Sequence, residues 1–240
     1  MWIVLAICVL VVVLAHTAPA PFVLDAIAGE RALWHMPRTD PPTVYLTYDD
    51  GPNPATTPDL LEALARERVT ATFFVIDGHV SEETAPIVRR MFEDGHAVAL
   101  HSASRREMLL PPVKLARELR AAADHIEAIA GARPCYAFRP HGGWRSAWMF
   151  AALRQLDYRL VGWGWMLWDV DWLRPRTAER IVARLVPRIR PGDIVVMHDG
   201  DESAPRKPQP QTVEATARLI PQLRAKGFEF GAVCQRVSPR

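Results

Sequence analysis

Val44-Tyr45-Leu46-Thr47-Tyr48-Asp49-Asp50-Gly51-Pro52 is the stretch of the chain that decides its fold. An apolar run typical of a strand leads into two adjacent carboxylates, and Gly51-Pro52 ends the element at once. Adjacent side chains on a strand normally point to opposite faces, but both can face one cleft where a strand end unravels into a turn. One carboxylate can then hold a metal ion while its neighbour transfers a proton. Asp-Asp-Gly-Pro is also common turn chemistry, so these residues alone leave an ordinary turn open.

The sequence around this stretch alternates between apolar runs and amphipathic segments. The apolar runs predict strands at 43–48, 69–76, 96–100, 135–138, 159–163, 193–198 and 228–233. The amphipathic segments predict helices between these strands. The first helix begins at Thr57, the second runs from Ser81 to Gly95, and the third passes through Val113 and ends at Gly131. The later helices cover about 146–156, 177–190 and 212–226. About seven βα units in series predict a single α/β domain with a parallel sheet, either closed as a barrel or open and doubly wound.

Length and charge narrow the class of protein. A chain of 240 residues fits one α/β barrel domain. The formal net charge is +2, and the 29 basic and 27 acidic residues are scattered along the chain. The sequence has no basic stripe with interleaved aromatic residues, so a nucleic-acid partner is not expected. Cys135 and Cys234 could pair in an oxidising compartment or could be buried as apolar residues.

Residues 2–15 form an unbroken apolar run that small residues and prolines follow. Its length fits a secretory signal better than a full membrane span, which needs about 20 residues. We therefore predict a signal peptide or an N-terminal membrane anchor at 1–20, a linker at 21–41 and the catalytic domain at 42–237. Both alternatives place the domain outside the cytoplasm, in the periplasm, at the cell envelope or secreted, with membrane association through residues 2–15 in the anchored case.

Several residues suited to chemistry fall at the carboxyl ends of the predicted strands, where the active sites of α/β barrels lie. His101 could ligate a metal or could simply hydrogen-bond beneath a loop. Gly142 and Gly143 could aim backbone N–H groups at a developing oxyanion or form an ordinary turn. His198 ends a buried strand, where a histidine can be structural or catalytic.

The segment Trp168-Asp169-Val170-Asp171-Trp172 follows the fifth predicted strand. Aspartates two positions apart lie on one face of an extended segment, and tryptophans are suited to stacking on sugars. A packed aromatic corner is the alternative. The sequence therefore gives this segment either a site role or a structural role.

Together these motifs resemble those of the polysaccharide deacetylase family, the NodB-homology or carbohydrate esterase 4 group, in the same order over roughly residues 42–235. The resemblance is carried by Thr47 to Pro52, by Gly95-His96 with His101-Ser102, by Arg139 with Gly143, by Asp171-Trp172, and by the strand that ends at His198. It implies a distorted (β/α)7 TIM-like barrel of the NodB-homology type, preceded by the N-terminal hydrophobic segment.

The resemblance also implies an activity and the residues that perform it. The activity is hydrolysis of an N-acetyl or O-acetyl group on a carbohydrate such as chitooligosaccharide or peptidoglycan, so the expected partner is an acetylated glycan. Asp49 is then the base that deprotonates a metal-activated water, and Arg139 pairs with Asp49. His198 is the acid that protonates the leaving amine, and Asp171 orients its imidazole.

The implied cofactor is a divalent metal ion, with Zn²⁺ first and Co²⁺ or Ni²⁺ as alternatives. By the resemblance, Asp50 and His101 are its ligands, and a backbone N–H near Gly142 helps to stabilise the oxyanion. Bound Zn²⁺ can lower the pKa of water to about 7, so a carboxylate can complete the deprotonation at neutral pH. The residues expected to contact the substrate are Gly142, Gly143, Trp144, Trp172 and Met197.

The chain departs from the family pattern at three positions. The second motif usually ends in a histidine four residues after the first, but Arg105 stands there. His141 stands where proline is common and Gly142 where an aromatic residue is common. Two protein ligands are fewer than the three of a usual catalytic zinc site. His141 could be the third ligand, the metal could bind more weakly with waters completing its shell, or Arg105 could replace the charge of the metal.

Two rival functions remain open from the sequence. A catalytically weak or inactive relative could bind carbohydrate through Trp144, Trp168 and Trp172 without releasing acetate. A glycoside hydrolase could use Asp169 and Asp171 as its two carboxylates, although such a pair needs a neighbouring acid with a raised pKa. Measuring acetate and new reducing ends from one reaction separates these functions from deacetylation.

Overall fold

The computed structural model of the protein describes residues 2–16, 32–164, 166–170 and 175–234. The strands of these residues are β1 (Ala32–Leu33), β2 (Thr43–Gly51), β3 (Thr72–Ile76), β4 (Ala97–His101), β5 (Ala137–Arg139), β6 (Arg159–Val161), β7 (Ile194–His198) and β8 (Glu229–Phe230). The α-helices are α1 (Trp2–His16), α2 (Thr57–Glu67), α3 (Ala85–Glu93), α4 (Pro112–Ala130), α5 (Ala147–Leu156), α6 (Ala178–Leu185) and α7 (Pro210–Arg224). Short 3₁₀ turns cover Asp77–His79, Arg105–Leu109 and His141–Gly143.

The ladders between the described strands are all parallel, in the order β1-β6-β5-β4-β3-β2-β7, with β8 beside β2. All seven predicted strands are present, and β1 is a two-residue strand that the sequence pattern did not indicate. The chain after β6 returns along β7, where Gly164 N donates to Ile194 O at 2.9 Å. In the same way Asp169 N donates to Val196 O at 3.2 Å. The sheet therefore curves into a nearly closed barrel, which confirms the predicted fold class.

Side-chain alternation divides each strand into an outer face and an inner face. The outer side chains of β2, Leu46 and Tyr48, pack beneath the helices in the larger hydrophobic cluster. The inner face begins with Tyr45, which belongs to a smaller cluster inside the barrel. Thr47 and Asp49 continue this inner face, and both are buried. The barrel interior is thus apolar at the amino ends of the strands and polar at their carboxyl ends.

The helices lie close to their predicted positions, with shifts that local hydrogen bonds and prolines explain. The second predicted helix begins at Ala85 rather than at Ser81, because Ser81 N donates to Thr84 Oγ1 at 2.9 Å and forms a separate turn. The helix predicted over 177–190 ends at Leu185. Pro187 follows two residues later and has no N–H with which to continue a helix.

Cys135 and Cys234 form a disulfide, so of the two alternatives for these cysteines the structure shows the pairing. Cys135 lies just before β5, and Cys234 is the last described residue after β8. The bond therefore ties the chain after the last strand to the barrel.

The N-terminal hydrophobic segment corresponds to α1, Trp2–His16. Among the helices that the structure describes, none combines the length and the apolar character needed to cross a membrane. The end of the predicted signal or anchor and most of the predicted linker, residues 17–31, lie outside the described residues, as do residues 235–237 of the predicted domain. The rest of the linker contacts the barrel, where Met36 N donates to Gly192 O at 2.8 Å.

Candidate active site

The last inward-facing residues of four strands form the floor of the candidate active site. These residues are Asp49 of β2, His101 of β4, Arg139 of β5 and His198 of β7. In the sheet register Asp49 lies beside His198, and His101 lies beside Arg139. Parallel strands end at one edge of the sheet, so their last inner side chains converge there. Asp49, His101 and His198 line one cavity, and Arg139 is fully buried beside them.

Asp50 reaches the same cavity because the backbone of β2 is distorted at this residue. The β2–β3 register shifts between Asp49 and Gly51, and the φ of Asp50 is 69°, a value that non-glycine residues rarely adopt. Regular alternation would send Asp50 to the outer face, so the distortion is what turns both carboxylates into one cavity. The carbonyl oxygen of Asp50 lies 3.0 Å from Nδ1 of His79. Gly200 leaves room for this backbone, since a Cβ there would lie 1.9 Å from the same oxygen.

Gly200→Ala is therefore expected to destabilise the fold by about 1–3 kcal/mol, because the added methyl group must displace the backbone of Asp50. The measurement is the free energy of unfolding in urea. Gly78→Ala is the matched control, since a Cβ at Gly78 meets nothing within 4 Å. Equal losses of stability in the two variants would contradict the role given to Gly200.

Arg139 holds Asp49 through a fully buried ion pair. Nη1 of Arg139 donates to Oδ1 of Asp49 at 2.6 Å and to Oγ1 of Thr47 at 2.7 Å. Nη2 donates to the carbonyl oxygen of Gly162 at 2.9 Å. Charge-assisted hydrogen bonds of this kind compensate the cost of burying both charges and fix their geometry. One oxygen of Asp49 is thereby bound, which orients the other toward the cavity.

Asp50, His101 and His141 form a group that could hold a metal ion. One ligand atom from each lies within 4.8 Å of the other two. Oδ1 of Asp50 is 3.1 Å from Nε2 of His101 and 3.8 Å from Nδ1 of His141. Oδ1 of Asp50 and Nδ1 of His141 are buried and make no hydrogen bond among the described residues. Unpartnered buried atoms are costly, and one carboxylate with two imidazoles is a ligand set of catalytic zinc, so these residues fit a bound cation.

The protonation of this group follows from burial and from its neighbours. Nδ1 of His101 lies 2.8 Å from the carbonyl oxygen of Arg139, which leaves Nε2 facing Asp50. Burial alone would lower the pKa of His101, but the charges of Asp49 and Asp50 outweigh it and raise that pKa. Burial would raise the pKa of Asp50, but its contact with His101 outweighs it and lowers that pKa. Burial and the charge of His101 lower the pKa of His141 to about 4, so its lone pair is available at pH 7.

His198 is oriented by Asp169. Nδ1 of His198 lies 2.7 Å from Oδ1 of Asp169, and the backbone N–H of His198 donates to Oδ2 at 3.0 Å. Arg176 also donates to Oδ2 of Asp169. Burial alone would lower the pKa of His198, but the carboxylate of Asp169 outweighs it and raises the pKa to about 9. This is the contact that the sequence analysis assigned to Asp171, which lies outside the described residues.

The cavity above these groups has a volume of about 600 Å³, within the usual range of small-molecule sites. Of the tryptophans that the structure describes, Trp144, Trp163 and Trp168 line it, together with Gly142. Of the predicted substrate contacts, Gly142 and Trp144 therefore face the cavity. The site combines titratable groups on its floor with aromatic faces on its walls.

The other predicted substrate contacts are placed differently. Gly143 is buried outside the lining, and its N–H donates to the carbonyl oxygen of Pro140 at 2.9 Å. Met197 does not reach the cavity: it is fully buried in the outer hydrophobic cluster, because alternation along β7 gives the inner face to Val196 and His198. Trp172 lies outside the described residues.

Sequence reasoning missed several residues of the site. Among them are Trp163, Asp169 as the partner of His198, Arg176 and Glu202. Asp169 lay inside a recognised segment, but the family resemblance assigned the contact with His198 to Asp171, two residues further along the chain. No motif marked the other three, because they come from loops whose path depends on the completed barrel.

Comparison with known proteins supplies the family. The sequence profile of the polysaccharide deacetylase family matches residues 37–161. The chain is 36% identical over 196 residues to a chitooligosaccharide deacetylase of Bradyrhizobium sp., covering 78% of this chain and 87% of the relative. It is 29% identical over 203 residues to a peptidoglycan-N-acetylglucosamine deacetylase of Bacillus cereus, covering 84% and 91%. The solved structure of a family 4 acetyl xylan esterase from Clostridium thermocellum in complex with a cobalt ion gives a TM-score of 0.68 at 32% identity, covering 80% and 88%.

Fold and site together define a class of hydrolases, in which a parallel α/β barrel gathers carboxylates and imidazoles at the carboxyl ends of its strands. Within that class, the chain belongs to the polysaccharide deacetylase family.

Proposed function

We propose that the protein hydrolyses acetyl groups from a glycan, with the N-acetylglucosamine units of chitooligosaccharide or peptidoglycan as its substrate. One observation carries this proposal: a base, an acid and a set of metal ligands converge on a single cavity of about 600 Å³. The two relatives described above are named for these two substrates.

Asp49 is the general base of the proposed reaction. Its carboxylate faces the cavity, and Arg139 holds one of its oxygens at 2.6 Å. The other oxygen accepts a proton from the water that attacks the acetyl carbonyl carbon. The buried ion pair fixes this oxygen, so little reorientation is needed during the reaction.

His198 is the general acid. A pKa of about 9 keeps its imidazole protonated at neutral pH. The hydrogen bond of Nδ1 to Asp169 leaves the Nε2 proton for the cavity, where it protonates the leaving nitrogen of the amide. Asp169 is buried between His198 and Arg176. Burial alone would raise the pKa of Asp169, but the charges of His198 and Arg176 outweigh it and lower that pKa. Asp169 therefore does not supply the protonated acid that a glycoside hydrolase needs.

Asp50, His101 and His141 would hold a divalent cation, with zinc favoured by the ligand set and cobalt or nickel as alternatives. When bound, the cation supplies Lewis-acid polarisation of the carbonyl and lowers the pKa of water toward about 7. The backbone N–H of Gly142, at the wall of the cavity, would donate to the oxyanion.

The aromatic walls suit a sugar ring. Trp144, Trp163 and Trp168 present apolar faces on which pyranose rings can stack. The cavity is open to solvent, as an oligomeric substrate requires. These contacts would set the position of the acetyl group relative to Asp49 and His198.

We place the reaction outside the cytoplasm, at the cell envelope or beyond it. The disulfide between Cys135 and Cys234 is typical of an oxidising compartment. The apolar N-terminal segment, which includes α1, is consistent with export. A peptidoglycan substrate would be met in the same place.

The test is acetate release from purified protein incubated with chitooligosaccharides and peptidoglycan fragments. We expect acetate without new reducing ends, loss of at least about 10²-fold in rate after chelation with EDTA, and recovery with Zn²⁺ or Co²⁺. Wild-type protein passed through the same buffer exchange without EDTA is the control.

Three other outcomes each contradict part of the proposal. Glycan binding without acetate release would establish the inactive carbohydrate-binding alternative. Acetate release that EDTA does not change would indicate that Arg105 replaces the charge of a metal. New reducing ends would indicate glycoside hydrolysis.

A further inference from the structure

The three residues that depart from the family pattern lie together at the wall of the cavity. Arg105, His141 and Gly142 all line it. A Cβ on Gly142 would lie 3.5 Å from Nε and Nη2 of Arg105, so the guanidinium lies directly beside this glycine. The two sequence motifs that contain these departures are therefore neighbours in the folded protein.

Glu202 joins Arg105 to His141. Oε1 of Glu202 is 3.7 Å from Nη1 of Arg105, and Oε2 is 2.6 Å from Nε2 of His141. Glu202 lies on the loop that follows β7, in a local turn where Ser203 N donates to Oδ1 of Asp201 at 3.1 Å. A carboxylate is thus placed behind the histidine, on the side away from Asp50.

The two ring nitrogens of His141 face two carboxylate oxygens: Nδ1 faces Oδ1 of Asp50, and Nε2 faces Oε2 of Glu202. Nδ1 of His141 and Oε2 of Glu202 are buried and make no hydrogen bond among the described residues. Nε2 of His141 therefore lies close to Oε2 of Glu202, but the angle between them is not that of a hydrogen bond. A neutral imidazole has one N–H and one lone pair. With the proton on Nε2 and a small rotation of the ring, Nε2 donates to Glu202 while the lone pair of Nδ1 points toward Asp50 and His101. This tautomer pairs Nε2 with Glu202 and leaves the lone pair of Nδ1 available to a cation, because a lone pair cannot bond to the carboxylate of Asp50.

We propose that Glu202 is a positioning residue that holds His141 as the third metal ligand, and that Arg105 fixes Glu202 through their ion pair. This inference rests on the proposed function, since it requires a cation at Asp50, His101 and His141. A carboxylate on the second nitrogen of a ligating histidine fixes its tautomer and raises its basicity as a ligand. The histidine absent at position 105 is thus replaced by a ligand from the next βα loop and a carboxylate from the loop after β7.

The first experiment measures the zinc dissociation constant of the full-length protein by competition with a chromogenic chelator. Glu202→Gln keeps the size of the side chain but removes its charge, and we expect the dissociation constant to rise about 10- to 100-fold. Glu179→Gln is the matched control, because Glu179 is exposed, pairs with Arg218 at 2.7 Å and does not line the cavity. The metal-free variants are expected to melt at the same temperature as the metal-free wild type.

The second experiment asks whether Glu202 acts through His141. In a His141→Ala background, Glu202→Gln is expected to have no further effect on zinc affinity. The absorption spectrum of the Co²⁺-loaded protein is expected to change in Glu202→Gln and not in Glu179→Gln.

Two results overturn the inference: unchanged zinc affinity in Glu202→Gln, or an equal loss of affinity with and without His141. Wild-type zinc binding and acetate release test the proposed function separately. A wild type that binds zinc and releases acetate, beside a Glu202→Gln variant of equal affinity, rejects the role of Glu202 alone.

Discussion

Asp49→Asn is expected to lower kcat for acetate release by about 10²- to 10⁴-fold, because an amide cannot accept the proton of the attacking water. The amide oxygen of the new side chain can still accept from Arg139, so the shape of the site is expected to persist. The measurement is kcat with saturating chitooligosaccharide, with acetate determined directly.

The controls for this variant separate chemistry from folding. Zinc affinity is expected to stay at the wild-type value, since Asp50, His101 and His141 are unchanged. The melting temperature is measured alongside, because Arg139 loses a buried counter-charge. Asp124→Asn, at an exposed ion pair with Arg133, controls for the type of substitution. A folded, zinc-binding Asp49→Asn protein with near wild-type kcat would remove Asp49 from the role of base.

The strand-end residues of the site could be predicted from sequence because two simple rules act together. Alternation gives one inner face to each strand, and parallel strands end at one edge. Asp49, His101, Arg139 and His198 each close an inner face, so locating the strands was enough to bring them together. Met197 obeys the same alternation rule: it lies one residue before His198, so its side chain points to the outer hydrophobic cluster and not into the cavity.

Residues placed by backbone distortion or by long loops could not be predicted in this way. Asp50 breaks the alternation, and its orientation depends on a left-handed φ that Gly200, about 150 residues away in sequence, makes sterically possible. Glu202 carries no motif, because its position is set by the loop after β7 rather than by any local pattern. The family resemblance named the chemistry, and the sequence offered His141 as one of three ways to complete the metal site, but the carboxylate of Glu202 behind it required the three-dimensional structure.

The departures at Arg105 and His141 change how the proposed metal ligands are distributed over the barrel. The family pattern draws two histidines from one loop, whereas the two histidines proposed as ligands here lie at the end of β4 and in the turn after β5. Ligands on two loops respond separately to loop movement, so an added carboxylate such as Glu202 is a direct way to restore rigidity.

Asp169→Asn is expected to move the alkaline limb of kcat/KM to lower pH. The carboxylate of Asp169 raises the pKa of His198 to about 9, so the wild-type acid stays protonated until the pH rises through that value. Without this charge, the pKa falls toward or below the ordinary value of about 6.5, since burial of His198 also opposes protonation. At that value, loss of the protonated form alone lowers the rate by about 30-fold at pH 8 but by less than about 2-fold at pH 6.

The measurement that checks this is a profile of kcat/KM from pH 5.5 to 10 for the wild type, Asp169→Asn and the exposed control Asp124→Asn. The control is expected to follow the wild type throughout. Disturbed orientation of His198 adds a loss that is the same at each pH, because the hydrogen bond to Nδ1 is weakened as well. An equal loss of kcat/KM at every pH, with the alkaline limb unmoved, would therefore show that Asp169 orients His198 but does not set its pKa. A limb displaced to lower pH identifies His198 as the acid that Asp169 keeps charged.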